Sequence, residues 1–190
     1  MARALATVLC APLDPLFARK LPIPASPEMG FGAIAIDGSL VLNDWVVSSF
    51  GIGERTIRSV ARDVRREVER RAHVYGADGE RPDVQGKRVY IVDDGLATGY
   101  TAMAGAKMVR ANSPSSVTLC VPVSPVDSIS TVQPHFDEIH CLIAQESHPF
   151  AVASFYRDFH DLSDREVIRI LREAREARSG DLPHGVGSRQ

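Results

Sequence analysis

The stretch Val89–Thr101, VYIVDDGLATGYT, decides the reading of this chain. Four apolar residues run straight into two adjacent aspartates, and small and hydroxylated residues follow at once. The apolar run reads as a short buried strand, and the residues after it as a tight turn that opens a helix near Tyr100. In sheets built of such strand–turn–helix units, ligands bind beyond the carboxyl ends of the strands. Asp93 and Asp94 fall at that edge. Gly95 and Gly99 let the backbone come close to a ligand. The first N–H groups of a helix lack partners inside it and, with the helix dipole, favour an anion. The hydroxyls of Thr98 and Thr101 add donors. One aspartate can cap the helix, which leaves the second without a structural task. A phosphate cradle beside acceptors for sugar hydroxyls suits a sugar phosphate.

Downstream, the same alternation repeats. Arg88–Val92, Ser116–Val123 and Glu138–Ala144 are short apolar runs, with helical patterns at Tyr100–Asn112 and Asp127–Gln133 between them. That order predicts an α/β fold with these strands adjacent and parallel, covered on both faces. Upstream, residues 2–9 suit a short helix and Pro15–Arg19 a short strand. Lys20–Gly32 carries Pro22, Pro24, Pro27, Gly30 and Gly32 and reads as a loop. Ala33–Asn43 is a hairpin turning at Asp37-Gly38. From Glu54 to about Val74, Ile57, Val60, Val64 and Val68 mark an amphipathic helix, and the turn-rich connector Ala77–Gly86 follows. Ser163 and Glu166 have capping-box spacing before a helix reaching about Arg178. Residues 179–190 read as a disordered tail.

The 190 residues suffice for one packed domain, and a formal net charge of -2 argues against a general nucleic-acid or membrane-surface binder. No apolar run approaches the roughly 18 residues of a membrane span. The opening MARALATVLCAP has a thin basic region and a poor cleavage signal, so secretion is not expected. Cys10, Cys120 and Cys141 are odd in number and widely spaced. They are expected to be buried free thiols of a cytoplasmic protein rather than a disulfide framework or a zinc site. The six histidines show no ligand spacing. A P-loop is absent, and GFGAIA and GIGERT only weakly echo a dinucleotide loop.

VYIVDDGLATGYT resembles the phosphoribosyl-pyrophosphate-binding signature of type I phosphoribosyltransferases. ARALATVLCAPLDPLFARKLPIPASPEMGFGAIAIDG (2–38) and ESHPFAVASFYRDFHDLSDREV (146–167) resemble other parts of a little-characterised bacterial and archaeal subfamily. The likeness covers residues 2–178. It implies a parallel-sheet, Rossmann-like core over 1–178, with a small hood formed by the C-terminal segment. It implies that Asp93 and Asp94 hold the ribose hydroxyls and, mostly through water, Mg²⁺. Ala97, Thr98, Gly99, Tyr100 and Thr101 would bind the 5-phosphate. Arg19 and Lys20 would meet the pyrophosphate, and Lys20–Gly32 would be a mobile loop that closes over the site. Phe150 and Tyr156 would lie near the base, with His148 beside them. The activity implied is Mg²⁺-dependent transfer of the phosphoribosyl group of phosphoribosyl pyrophosphate to or from a nucleobase-like acceptor. It would proceed through an oxocarbenium-like transition state, in a cytoplasmic homodimer of nucleotide metabolism.

One departure stands against this pattern. Such enzymes begin with a further strand and a pyrophosphate-binding loop, whereas here Met1 falls already at the first helix. That strand and loop are expected to be missing, whether the natural start lies upstream or the protein lacks the segment. The sheet would then be short of one parallel strand. A second reading follows from this departure: a non-catalytic module that binds phosphoribosyl pyrophosphate or a nucleotide.

Overall fold

The computed structural model describes residues 1–76, 83–146 and 149–180, with the backbone alone at 178–180. In chain order the elements are α1 (Ala2–Val8), β1 (Ala18–Ile23), β2 (Ser26–Ala35), β3 (Leu40–Leu42), α2 (Asp44–Ser49) and α3 (Glu54–Val74). Then come β4 (Arg88–Val92), α4 (Tyr100–Arg110), β5 (Ser116–Pro125), α5 (Val126–Val132), β6 (Glu138–Gln145) and α6 (Asp164–Gly180). Short 3-10 turns lie at Gln133–His135 and Val152–Phe155.

Among the described residues the strands form two three-stranded sheets. β4, β5 and β6 are parallel with β5 in the middle, and Ile91, Leu119 and Ile139 stand in one row. β1, β2 and β3 are antiparallel in that order. The α/β reading and the three parallel strands therefore stand. The outer sides of β1 and β4 pair with no strand among the described residues.

Both sheets are tied to α4, which is apolar almost all round. At 100° per residue, Ala102, Met103, Ala106 and Val109 share one side, which packs on Ile91, Val117, Leu119 and Val121 of the parallel sheet. Ala104 and Met108 lie on the opposite side, against Ala33 and Ala35 of the antiparallel sheet. Small residues on both partners let helix and strand approach closely. The far face of the antiparallel sheet offers Leu21, Phe31 and Ile34 to Ile57, Val60 and Val64 of α3, the apolar stripe read from the sequence.

Three expectations need correction. Lys20–Gly32 is not a loop: it forms most of the β1–β2 hairpin, which turns at Pro24-Ala25. Pro22 is tolerated because β1 is an edge strand, where a missing N–H need not break a ladder. Register shifts flank it, and burial of Leu21, Ile23 and Phe31 outweighs the turn propensity of the prolines and glycines. The parallel sheet is not covered on both faces along its whole width, for on β6 Leu142 is 83% exposed. Cys10 is exposed rather than buried, while Cys120 and Cys141 are half-buried, and all three thiols are free.

The capping box is present. Ser163 N–H donates to Glu166 Oε2 at 2.8 Å, and Glu166 N–H reaches Ser163 Oγ at 3.4 Å. The helix it starts runs to Gly180. Of the expected disordered tail, 179–190, residues 179 and 180 instead belong to this helix, and 181–190 lie outside the described residues, as do His148 and the connector residues 77–82. No described helix is long and apolar enough to cross a membrane.

The two leucines at the extremes of burial give a direct check. Leu119, fully buried at the centre of β5, should cost about 2–5 kcal/mol of stability when changed to Ala. Leu142→Ala on the open face should stay within about 0.5 kcal/mol of the parent. Denaturant unfolding of both variants measures the contrast.

Candidate functional site

β4 carries Asp93 and Asp94 to the carboxyl end of the parallel sheet, and the turn after them is stitched to β5. Asp93 N–H donates to the Cys120 carbonyl at 3.2 Å, and Leu96 N–H to the Val123 carbonyl at 2.9 Å. The Leu96 side chain is buried at 2% exposure and anchors the turn in the core. Gly99 sits at φ +80°, where a Cβ would also lie 2.2 Å from Val132 Cγ1, so conformation and space both demand glycine. From α5, Ser128 Oγ donates to the Ala97 carbonyl at 2.6 Å.

This bracing leaves the start of α4 open. Gly99 is its N-cap, with no side chain closing the end. Met103 is the first residue of the helix whose N–H reaches a carbonyl, that of Gly99 at 2.9 Å. Ala97 and Thr98 are exposed, and Tyr100 and Thr101 half-buried. The structure thus brings the five predicted phosphate-binding residues and the two aspartates into one continuous edge.

The electrostatics of that edge are unusual. Neither aspartate has a cationic partner within ion-pair distance among the described residues. Burial pushes the Asp93 carboxyl up to about 6, with the charge of Asp94 adding to it, while the Asp94 backbone N–H pulls the other way. Asp94 is exposed and is also raised, first by partial loss of water and then by the charge of Asp161. Asp93 Oδ1 accepts the N–H of Asp94 at 2.9 Å. Two neighbouring carboxylates with no counter-cation, one of them half-buried, are a donor set suited to a hard divalent cation such as Mg²⁺.

Over this edge lies the hood. Its aromatic residues pair as Phe150 with Phe155, centroids 5.6 Å apart, and Tyr156 with Phe159 at 5.2 Å. Tyr156 Oη donates to the Asp94 carbonyl at 2.6 Å. Burial and the charges of Asp94 and Asp93 raise the phenol, which keeps its proton in place for that bond. Val152 presses on Gly95, where a Cβ would come within 2.6 Å of Val152 Cγ1. Tyr156, read as a base contact, is placed on the aspartate turn itself.

Arg19 and Lys20 lie on β1, in the other sheet. Arg19 pairs with Glu67 at 3.7 Å, and Lys20 Nζ donates to the Glu28 carbonyl at 2.8 Å. Neither bonds to the aspartate turn among the described residues. Ser128, Val152 and Asp161 belong to the site's surroundings but carry no motif. They reach it only through the crossover after β5 and the fold-back of the hood.

The raised Asp93 makes a stability prediction with a definite sign. Its native value of about 6 lies above the ordinary ~3.9 of an unfolded aspartate. Its contribution to folding is therefore fully present below about pH 4 and is lost as pH rises through about 6. At neutral pH the ionised group opposes folding. In metal-free buffer, Asp93→Asn should be more stable than the parent at pH 7.5 by ~1–2 kcal/mol, a figure already discounted for the group's contact with water. The gain should fade toward pH 4. Denaturant unfolding across that range checks it, and a less stable variant at pH 7.5 would assign the carboxylate a structural role.

No family model matches the chain. Two curated Mycobacterium tuberculosis proteins do resemble it: "Putative phosphoribosyl transferase MT0597" (strain CDC 1551 / Oshkosh) and "Putative phosphoribosyl transferase Rv0571c" (strain ATCC 25618 / H37Rv). Each is 41% identical over 166 residues, which cover 87% of this chain and 37% of the relative. The chain thus spans little more than a third of the length of these relatives. Among solved structures, the crystal structure of TT1426 from Thermus thermophilus superposes with a TM-score of 0.71 at 28% identity, covering 90% of this chain and 80% of that one. The 41% identity to these relatives runs through nearly all of the chain, and the aspartate turn stands at the end of a parallel strand, so the chain is similar to one part of proteins named as phosphoribosyl transferases.

Proposed function

We propose that this domain moves the phosphoribosyl group of phosphoribosyl pyrophosphate to or from a nucleobase-like acceptor, with pyrophosphate as co-product and Mg²⁺ as cofactor. One observation carries the reading: two carboxylates without a cation among the described residues stand beside a helix start whose N–H groups are open. The open N–H groups and the Thr98 and Thr101 hydroxyls take the 5-phosphate. Asp93 and Asp94 accept from the ribose hydroxyls, orient the ring and stabilise positive charge that grows on it. Asp93 and Asp94 would hold Mg²⁺ mostly through water, and the ion would supply positive charge against the pyrophosphate leaving group. Arg19 and Lys20 serve the same end once they leave Glu67 and the Glu28 carbonyl. Phe150 and the neighbouring hood flank the base. A homodimer in the cytoplasm completes the proposal, and the three unpaired thiols suit that reducing setting.

The engagement of Arg19 and Lys20 with their own protein favours a second reading, a module that binds the same ligand without transferring it. Both readings need the aspartates; only the first needs the leaving group to be met.

Calorimetric titration of phosphoribosyl pyrophosphate, with and without Mg²⁺, tests them together with a pyrophosphate-release assay over a panel of purines and pyrimidines. Replacing Asp93 and Asp94 with Asn together should weaken Mg²⁺-dependent binding by on the order of 10² or more, two charge-assisted contacts being lost. The fold should survive. Unchanged affinity in that variant would sink both readings. Tight binding by the parent, with no release for any acceptor, would select the binding module.

A further inference from the structure

At the end of α4 remote from the aspartate turn lies an open surface groove of about 600 Å³ that the proposed reaction does not use. One wall is β3, with Leu40, Val41 and Leu42. Across from it, Lys107 and Arg110 stand three residues apart on one face of α4. His135 closes one side, and Asp44, at the start of α2, also lines the space.

The polar groups here are arranged, not merely exposed. Arg110 Nε donates to the His135 carbonyl at 3.0 Å and its Nη2 to Asp137 at 2.9 Å, which fixes the guanidinium plane. Asp137 is also held by Val117 N–H at 2.7 Å and does not line the groove. Lys107 Nζ gives one proton to the Leu40 carbonyl at 3.1 Å, and no carboxylate lies within ion-pair distance of it among the described residues. The field near His135 is positive. Burial first, and then the charges of Arg110 and Lys107, push the imidazole below its usual value, with no carboxylate among the charges acting on it. β3 is the outer strand of its sheet. Its odd-numbered residues bond to β2, as Ala35 N–H to the Ser39 carbonyl and Asn43 N–H to the Phe31 carbonyl. Hence the N–H groups of Leu40 and Leu42 turn away from β2, toward the open side of the strand.

We infer that this groove is a second binding site, for a small organic anion: a phosphate or carboxylate held by Lys107 and Arg110, with an apolar body against Leu40–Leu42. A groove of this size accommodates a small organic molecule, and an apolar wall beside the Lys107 ammonium, which has no carboxylate partner among the described residues, and the Arg110 guanidinium, which is shared with Asp137, suits a ligand of that dual character. The inference does not depend on the phosphoribosyl chemistry, because the two sites share no residue.

Phenyl phosphate is the probe, with phenol as the neutral control. Trp45, the single tryptophan, follows Asp44 directly and is 72% exposed, so its fluorescence reports on this side of the molecule. Phenyl phosphate should change that fluorescence saturably and shift the amide resonances of Leu42 and His135, while phenol should do neither. Lys107→Gln should weaken the response about tenfold through loss of one charge-assisted contact. Asp44→Asn should leave it equal or tighter. Shifts confined to Ala97–Thr101, an equal response to phenol, or full affinity in Lys107→Gln would each overturn the inference. Lys107 is exposed, so its replacement leaves the core intact. Asp44→Asn supplies a second reading of the same charge effect, and weakened binding in that variant would also count against it.

Discussion

Burial of α4 on two opposite sides is the constraint on which the rest of the structure depends. A helix polar on one face could pack against only one sheet. Here Ala102, Met103, Ala106 and Val109 serve the parallel sheet, while Ala104 and Met108 serve the antiparallel one. The helix cannot slide along either sheet without disturbing the other. Its first turn is therefore held at the carboxyl end of β4, and the open N–H groups of Tyr100 to Ala102 are fixed in place by core packing. Backbone N–H groups held in this way favour an anion without any basic side chain.

The aspartates beside that helix show the opposite economy. Asp93 is partly removed from water, next to another carboxylate and without a cation among the described residues. A sequence selected for stability alone would not retain this arrangement. Local conflict of this kind gathers where a ligand resolves it. Leu96 in the core, Ser128 on the Ala97 carbonyl and Tyr156 on the Asp94 carbonyl are the contacts that hold the conflict in place.

The parallel half of the fold was legible because its strands are continuous apolar runs, and the turn between Asp93 and Thr101 has few other uses. The bounds of β4 match the reading, and the helix from Glu54 to Val74 follows its apolar stripe. The hairpin of β1 and β2 was not legible. Turn propensity is counted residue by residue, whereas the tolerance of Pro22 depends on β1 being an edge, which only topology reveals. The open face near Leu142 escaped for a similar reason, since a covered and an uncovered apolar residue look alike in sequence. Within the site, Asp93, Asp94 and Ala97 to Thr101 are contiguous and could be read together. Ser128 and Val152 become neighbours of that turn only after the chain has folded. Tyr156 was singled out as an aromatic ring, but its hydroxyl proved to be the part that touches the turn.

Gly95 differs from Gly99 in a way that matters for how the sequence can drift. Gly99 is restricted by its own left-handed backbone, whatever its neighbours are. Gly95 has no such conformation and is restricted by the methyl groups of Val152 and, behind them, Val123. The tolerance at position 95 is thus written largely at position 152, in a different segment of the chain. An alanine at 95 is a burden while Val152 stands over it, and cutting that side chain back removes the two closest contacts and leaves the tight fit against Val123. The two positions must vary together, and the order of substitution is fixed: the hood residue shrinks first.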